Sequence, residues 1–330
     1  MLMIEQRSGS RACQPWLLSR SGTRLAGVDH DRRLAELGAG LERHPAVRTV
    51  GARASAEELR AALHASHDRD YLRALAEVSS EEPVLMESFA APGMAADTPV
   101  CASVARAAFE GARTAVAAAR AIVEGERFAY ALCRPPGHHA GPSWLGGCCF
   151  LNNATAAAHT LRMAGVAPVS ILDLDIHYPN GTAAIVARMA QTSLHSLHSW
   201  PVVNVPSQSA LPCCEREHVV EFRRRPDEPQ YLDAVAEAIE RLSRSAAVIV
   251  LSLGYDTVRG DPHGCWEFSP EIFTPIGSLL ASSLLPVCVV QEGGYGLHSL
   301  AACGHAFARG LLGEQRLDSG RTDAVRAGVR

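Results

Sequence analysis

Short apolar runs alternate with longer amphipathic segments along most of this chain. Leucines at helical spacing predict helices over 30–43, 55–63 and 70–78, and Ser55 is suited to cap the second of them. Beyond about residue 100, short apolar runs predict strands, and helical periodicity follows most of them. The predicted strands are 128–133, 170–177, 193–197, 247–253 and 286–291, and the predicted helices in this part are 104–124, 152–164, 183–189, 230–243, 269–285 and 297–312.

Three segments lack this regular pattern. Residues 1–28 are predicted to be irregular, 81–98 to form a long surface loop, and 200–229 to interrupt the alternation with several prolines and three consecutive arginines. Alternating strands and helices are typical of an α/β fold with a parallel sheet and helices on both faces. Because no repeat or linker is evident, we predict a single α/β domain over 1–313 and a polar tail over 314–330.

Composition narrows the possible functions. The chain has 330 residues, of which 47% are hydrophobic, and its net charge of −4 argues against a general nucleic-acid or anionic-membrane surface. No apolar run is long enough to span a bilayer, and residues 1–11 lack the apolar core of a secretory signal. The ten cysteines include no CxxC pair, which favours reduced thiols and a cytoplasmic location. The oligomeric state is left open.

The predicted strand 170–177 carries the strongest chemical signal. Asp173, Asp175 and His177 occupy alternate positions, so on an extended chain their side chains leave the same face. Two carboxylates and an imidazole can bind a divalent cation, and one further ligand would still leave a position open for water. The alternative is a strand end with solvated polar residues, but three polar side chains inside an apolar strand are costly to bury without a function.

Three further polar clusters follow predicted strands. His138 and His139 come after a rigid Pro-Pro-Gly turn and could share proton transfer beside a metal, or could be two surface histidines. Asp256 is suited to be a third metal ligand, whereas Asp261 is better suited to cap a turn. Tyr295 follows two glycines and could donate a hydrogen bond to an oxyanion, or could simply pack there. Because ligands bind beyond the carboxyl ends of parallel strands, all four clusters should converge in one cleft.

Taken together, these motifs resemble the histone deacetylase and acetylpolyamine amidohydrolase family. The similar segments, in order over about 97–312, are Arg-Pro-Pro-Gly-His-His-Ala at 134–140, Gly-Cys-Cys-Phe-Leu-Asn-Asn at 147–153, Asp-x-Asp-x-His at 173–177, Asn-Gly-Thr at 180–182, Ser-Leu-Gly-Tyr-Asp at 252–256 and Glu-Gly-Gly-Tyr at 292–295. The resemblance implies an arginase/deacetylase-like α/β fold with its active site at the carboxyl ends of the strands. It also implies hydrolysis of the amide bond in an acylated amine, with acetyl as the first acyl group to consider.

The resemblance implies two metal sites. Carried over by position, Zn²⁺ would be bound by Asp175, His177 and Asp256. A structural potassium ion (K⁺) would lie beside the same loop and the next strand, with ligands from Asp173, Asp175, His177, Ser196 and Leu197.

The resemblance also assigns catalytic roles. His138, backed by Asp173, and His139, backed by Asn180, would form the catalytic histidine pair. His139 would take the proton of the attacking water, and one of the two histidines would protonate the leaving amine. Tyr295 would polarise the acyl carbonyl and stabilise the oxyanion.

The substrate channel departs from the family pattern. Asp97 falls where the family has an aspartate that grips the substrate, but Gly147 is followed by Cys148 in place of an aromatic residue, which would widen the channel. His263 lies near the position where polyamine-selective members often carry an acidic residue, which weakens a polyamine assignment. The substrate class stays open among acylated protein lysine, an acylpolyamine and a small biosynthetic intermediate, and the wider channel favours the last.

Two other departures concern activity itself. Tyr178-Pro179 replaces the family's usual His-Gly and could shift the neighbouring metal-binding histidine, and 200–229 lacks the family's glycine-rich loop. One alternative function is therefore a catalytically impaired relative that binds acylated ligands. Another is a ureohydrolase on the related fold, which would need more carboxylate ligands for a two-manganese site.

Overall fold

The computed structural model describes residues 1–6, 15–19, 22–200 and 216–313. Its strands are β1 Leu2–Glu5, β2 Trp16–Leu18, β3 Arg24–Ala26, β4 Arg48–Gly51, β5 Phe128–Leu132, β6 Val169–Asp173, β7 Thr192–Ser199, β8 Glu217–Phe222, β9 Val248–Leu253 and β10 Val287–Gln291. Its α-helices are α1 Arg32–Leu41, α2 Ala56–Ser66, α3 Arg69–Ala76, α4 Ala102–Val123, α5 Asn153–Met163, α6 Asn180–Val186, α7 Glu228–Ser243, α8 Phe273–Ser282 and α9 Leu297–Leu312.

Eight of these strands form one parallel sheet in the order β4-β1-β5-β10-β9-β6-β7-β8. The other two, β2 and β3, pair as a separate antiparallel hairpin. Every residue of the central strands β5, β10, β9 and β6 is buried, as expected for parallel strands that are covered on both faces. The predicted α/β fold is therefore confirmed.

The two faces of the sheet pack against different helices. On β5, Tyr130 and Leu132 belong to a core shared with α1, α7, α8 and α9, whereas Ala129 and Ala131 belong to a core shared with α4, α5 and α6. Side chains alternate between faces along a strand, so consecutive residues of β5 reach opposite cores. A third cluster joins α2 and α3 to the outer side of α4.

The helix predictions are confirmed with small shifts at the ends, and α9 spans the predicted residues. Ser55 caps α2 as expected, since its hydroxyl accepts from the Glu58 amide and the Glu58 carboxylate accepts from the Ser55 amide. The free cysteine thiols in the described residues also agree with the prediction. None of the described helices is long and apolar enough to cross a lipid bilayer.

Three predictions about strands were wrong. The described part of 1–28 is not irregular throughout, because β1 lies inside the sheet between β4 and β5 and two more strands form the hairpin. The strand predicted over 170–177 ends at Asp173, so Asp175 and His177 lie in the loop after β6 and not on one face of a strand. The segment 200–229 contains β8 at the edge of the sheet. The predicted tail over 314–330 lies outside the described residues.

Candidate metal and catalytic site

The four predicted clusters follow β5, β6, β9 and β10, which are direct neighbours in the middle of the sheet. Parallel strands bring their carboxyl ends to one edge, so the four loops meet although they are far apart in the sequence. Of the catalytic and metal-binding candidates, those that line the resulting cavity are His138, His139, Asp175, His177 and Tyr295. The predicted convergence is confirmed.

Three metal-ligand side chains meet at the base of this cavity. Their possible ligand atoms, on Asp175, His177 and Asp256, all lie within 4.8 Å of one another. The Nδ1 atom of His177 is 2.9 Å from Asp175 Oδ1 and 3.1 Å from Asp256 Oδ2. Ligands about 2.1 Å from a tetrahedral zinc lie about 3.4 Å apart, so the spacing is close to that of a zinc site.

The chemistry of this group also fits a bound cation. Asp256 Oδ2 is buried and has no aligned hydrogen-bond donor among the described residues, although Asp256 Oδ1 accepts from the Ile176 amide. Burial first, and then the charge of Asp175, raise the pKa of Asp256 to about 7. Two buried carboxylates side by side are costly unless a cation compensates their charge. The donor set therefore fits a divalent metal.

A glycine lets the backbone approach this group closely. A Cβ atom at Gly293 would lie 2.5 Å from Asp175 Oδ2 and 2.6 Å from Asp256 Oδ2. The amide of Gly293 donates to Asp175 Oδ2 at 2.9 Å. Any larger residue would displace the carboxylates, so the glycine after β10 is required by the metal-ligand group.

The two histidines of the pair have different partners. His138 Nδ1 lies 3.3 Å from Asp173 Oδ2, whereas His139 Nδ1 lies 2.7 Å from the amide oxygen of Asn180. The rings are adjacent, with centroids 4.1 Å apart. The predicted backing of each histidine is thus present in the structure.

Their protonation differs as a result. Burial alone would lower the pKa of His138, but the carboxylates of Asp175 and Asp173 outweigh it and raise that pKa to about 10. Burial, together with the charges of His138 and His177, holds the pKa of His139 well below its ordinary value. His138 is therefore the charged member of the pair, and His139 is the neutral one.

Tyr295 is held at the cavity by its backbone and by an arginine. The amides of Tyr295 and Gly296 donate to Asp261 Oδ2 at 2.5 and 2.9 Å. Asp261 Oδ1 accepts from the His263 amide, so Asp261 stabilises the turn at Pro262, as predicted. It is not among the possible metal-ligand groups of the described residues. The guanidinium of Arg33 lies over the Tyr295 ring at 4.5 Å.

Behind Tyr295 lies a buried ion network that the sequence analysis missed. Asp29 pairs with Arg33 at 2.6 Å and with Arg134 at 2.7 Å, and all three residues are buried. Arg33 also donates to the carbonyl oxygens of Glu292 and Gly294, which fixes the loop that carries Tyr295. A signal was present, because Arg33 lies one and two turns from Leu37 and Leu41 on the buried stripe of α1.

Glu292 is a second residue that sequence reasoning passed over. Its Oε2 atom accepts from the amides of Gly137 and His138 at 2.6 and 3.2 Å, and its Oε1 atom accepts from Ser252. It therefore ties the histidine loop after β5 to the loop after β10. Burial raises the pKa of Glu292 to about 7.

The predicted substrate-binding residues also line the cavity: Asp97, Gly147, Cys148 and His263. Gly147 and Cys148 both have positive φ, at 55° and 68°, and form the tip of a tight turn. Asp97 Oδ1 accepts from the Gly147 amide at 3.2 Å. Three leucines of the β2–β3 hairpin, which sequence reasoning missed, complete the lining: Leu17, Leu18 and Leu25.

Comparisons with known proteins place the chain in a family. The histone deacetylase domain model matches residues 28–311. An acetylpolyamine amidohydrolase of Burkholderia pseudomallei is 37% identical over 215 residues, which cover 62% of each chain. That of Mycoplana ramosa is 31% identical over 227 residues, which cover 66% of this chain and 67% of the relative.

Solved structures agree with these relatives. A crystal structure of acetylpolyamine aminohydrolase from Burkholderia pseudomallei superposes with a TM-score of 0.81 at 28% identity and covers 94% of this chain and 98% of that one. The HD domain of HDA15 superposes with a TM-score of 0.75 at 26% identity, over 90% of this chain and 88% of that one. Family model, relatives and fold agree with the geometry of the site, and the chain belongs to the histone deacetylase family.

Proposed function

We propose that this protein is a zinc-dependent hydrolase that removes an acyl group, with acetyl as the first candidate, from an acylated amine. One observation carries the proposal. Three metal-ligand side chains, two buried histidines with different partners and a tyrosine converge in a single cavity. The relatives named acetylpolyamine amidohydrolase support the same reaction class.

Asp175, His177 and Asp256 would hold the zinc. When bound, zinc would supply the Lewis acidity that polarises an acyl carbonyl and lowers the pKa of water. The backbone amides of Ile176 and Gly293 already hold the two carboxylates in place, so little rearrangement would be needed on binding.

The histidine pair would divide the proton transfers. His139 donates its Nδ1 proton to the Asn180 amide oxygen, which leaves Nε2 free to accept a proton from the attacking water. His138 is paired with the Asp173 carboxylate, which stabilises its charged form and suits it to protonate the leaving amine. The roles follow from the two hydrogen-bond partners.

Tyr295 would stabilise the oxyanion that develops on the acyl carbonyl. Burial raises the pKa of Tyr295 well above its ordinary value, so its hydroxyl stays protonated and can donate. The contacts with Arg33 and Asp261 fix the residue before the substrate arrives. A donor held in place in this way stabilises charge without reorganisation during the reaction.

A structural K⁺ beside the loop after β6 is part of the same proposal. Asp173 and Ser196 are register partners across β6 and β7, which brings the proposed ligands of the two segments together. Replacing potassium in the buffer by tetramethylammonium should then lower the rate. An unchanged rate would remove K⁺ from the proposal.

The reaction class is tested by supplying zinc-loaded protein with an acetyl-lysine reporter, N-acetylputrescine and N-hexylacetamide and measuring acetate release. We expect turnover of at least one of these substrates. That turnover should be lost in a folded His139→Ala variant that keeps its zinc. Zinc binding without turnover of any acylated amine would instead favour the ligand-binding alternative. Release of urea from a guanidino compound would favour the ureohydrolase.

A further inference from the structure

The solvent-facing part of the cavity has a composition unlike its base. We call it the rim, and it consists of Leu17, Leu18, Leu25, Asp97 and His263. Leu25 is 43% exposed and Leu17 is 7% exposed, whereas the metal-ligand carboxylates are fully buried, so the side of the cavity that carries Leu25 is where a substrate meets the protein first. Three of the five rim side chains are leucines.

The leucines are held in place by the hairpin and its anchor. Leu17 and Leu25 are direct partners across β2 and β3. The amide of Leu18 donates to the carbonyl oxygen of Asp97 at 2.9 Å, which attaches the hairpin to the loop that carries Asp97. The apolar surface at the rim therefore belongs to an ordered pairing of two strands and a loop.

The single carboxylate of the rim already has partners. Asp97 Oδ1 accepts from the Thr98 hydroxyl at 2.7 Å and from the Gly147 amide at 3.2 Å, and Asp97 Oδ2 lies 3.4 Å from the same amide. Arg24 of the hairpin lies over the Trp16 ring, which adds a positive charge to the same hairpin. Among its described residues the rim thus offers a substrate three leucines and one carboxylate, whose Oδ1 atom is already engaged by two donors.

A polyamine tail is poorly suited to such a rim. An ammonium group that lies against the leucines would give up water without gaining a carboxylate partner, which is costly. An alkyl or aryl group would instead bury apolar surface against the leucines, which is favourable.

We propose that the amine half of the substrate is uncharged and apolar where it passes the rim, as in an N-acyl alkylamine or N-acyl arylamine. The inference rests on the proposed hydrolase function and adds the substrate class. It separates this chain from the relatives named for acetylpolyamines.

Two substrates of equal length test the inference with the zinc-loaded protein at low salt. N-hexylacetamide ends in a methyl group where N-acetylcadaverine ends in an ammonium group. We expect kcat/KM to be at least about tenfold higher for N-hexylacetamide. Equal or faster hydrolysis of N-acetylcadaverine would overturn the inference while leaving the hydrolase function standing. If these two, N-acetylputrescine and the acetyl-lysine reporter all fail to be hydrolysed, both proposals are overturned.

A pair of variants then tests whether the rim is responsible. Leu25→Glu places a carboxylate at the exposed edge of the rim and should raise the ratio of kcat/KM for N-acetylcadaverine over N-hexylacetamide about two- to fivefold. Leu284→Glu is the matched control, because Leu284 is 79% exposed and precedes β10 at the opposite end of the sheet. It should leave the ratio unchanged. A folded Leu25→Glu protein with an unchanged ratio would overturn the role of the rim.

Discussion

The base and the rim of the cavity come from different parts of the chain. The base is made by loops after β5, β6, β9 and β10, four adjacent strands whose residues are all buried. Its polar side chains are held by hydrogen bonds between those loops. The rim is made by a two-stranded hairpin and loops, and three of its five side chains are leucines.

This difference separates chemistry from selectivity. A buried sheet fixes the positions of the base residues as closely as a metal site requires, so the base residues have little freedom to change. The rim lies outside the sheet, where segments vary without disturbing the core. The base should therefore tolerate almost no substitution, and substitutions at the rim should change which amine is accepted.

The largest expected effect comes from the ion network behind the base. Burial would raise the pKa of Asp29, but Arg134 and Arg33 outweigh it and hold that pKa below its ordinary value. Asp29→Asn leaves two buried guanidinium groups without their carboxylate, so we expect a loss of about 3–5 kcal/mol in the free energy of unfolding. Denaturant titration measures it.

The same variant has a pH signature. A carboxyl group with a lowered folded-state pKa contributes its full stability above its unfolded pKa and loses it as pH falls through the folded pKa. The difference in the free energy of unfolding between wild type and Asp29→Asn should thus be constant near neutrality and shrink below about pH 4. Asp31→Asn, at the exposed start of α1 two residues after Asp29, should change the free energy of unfolding by less than about 0.5 kcal/mol. A difference in unfolding free energy that does not shrink at low pH would argue against the ion network around Asp29.

The next largest effect is expected at the oxyanion donor. Tyr295→Phe removes one hydroxyl from the base and should lower kcat about 100- to 1000-fold while zinc content stays unchanged. Tyr231→Phe is a suitable control, because Tyr231 is buried among Trp266 and Phe268 in the core. If Tyr295→Phe keeps more than a tenth of the wild-type kcat, the tyrosine is only a packing residue.

A smaller effect is expected where base and rim meet. Cys148→Phe puts a large ring beside the cavity and should lower kcat/KM for a hexanoyl amide about tenfold relative to the acetyl amide. Cys148→Ala has the same positive φ to satisfy but adds no bulk, so it should keep the wild-type preference. An unaltered preference in Cys148→Phe would show that this side chain does not limit the acyl group.

Much of the base was predictable because it follows from sheet geometry. The apolar runs of β5, β9 and β10 end at polar residues, and parallel strands bring such ends together. That Asp175 and His177 would meet Asp256 was predicted, but their position in a loop was not, since the strand stops at Asp173 and hydrogen bonds shape the following segment.

The missed features depend on contacts between distant segments. Asp29 and Arg134 are 105 residues apart, and no local pattern links them. The strand β4 is four residues long and exposed, so it has no apolar run, and β1 is equally short, with only Leu2, Met3 and Ile4 as a signal. The hairpin leucines of the rim become meaningful only when Leu18 is seen bonded to the Asp97 loop.

Zinc titration of metal-stripped protein, with acetate release measured at each step, tests whether this site is a zinc-dependent catalytic centre. We expect one zinc per chain and activity that rises to a plateau at one equivalent. Asp256→Ala, with an unchanged circular dichroism spectrum, should neither bind zinc tightly nor release acetate. Full zinc stoichiometry in Asp256→Ala, or turnover by the metal-free wild type, would contradict it.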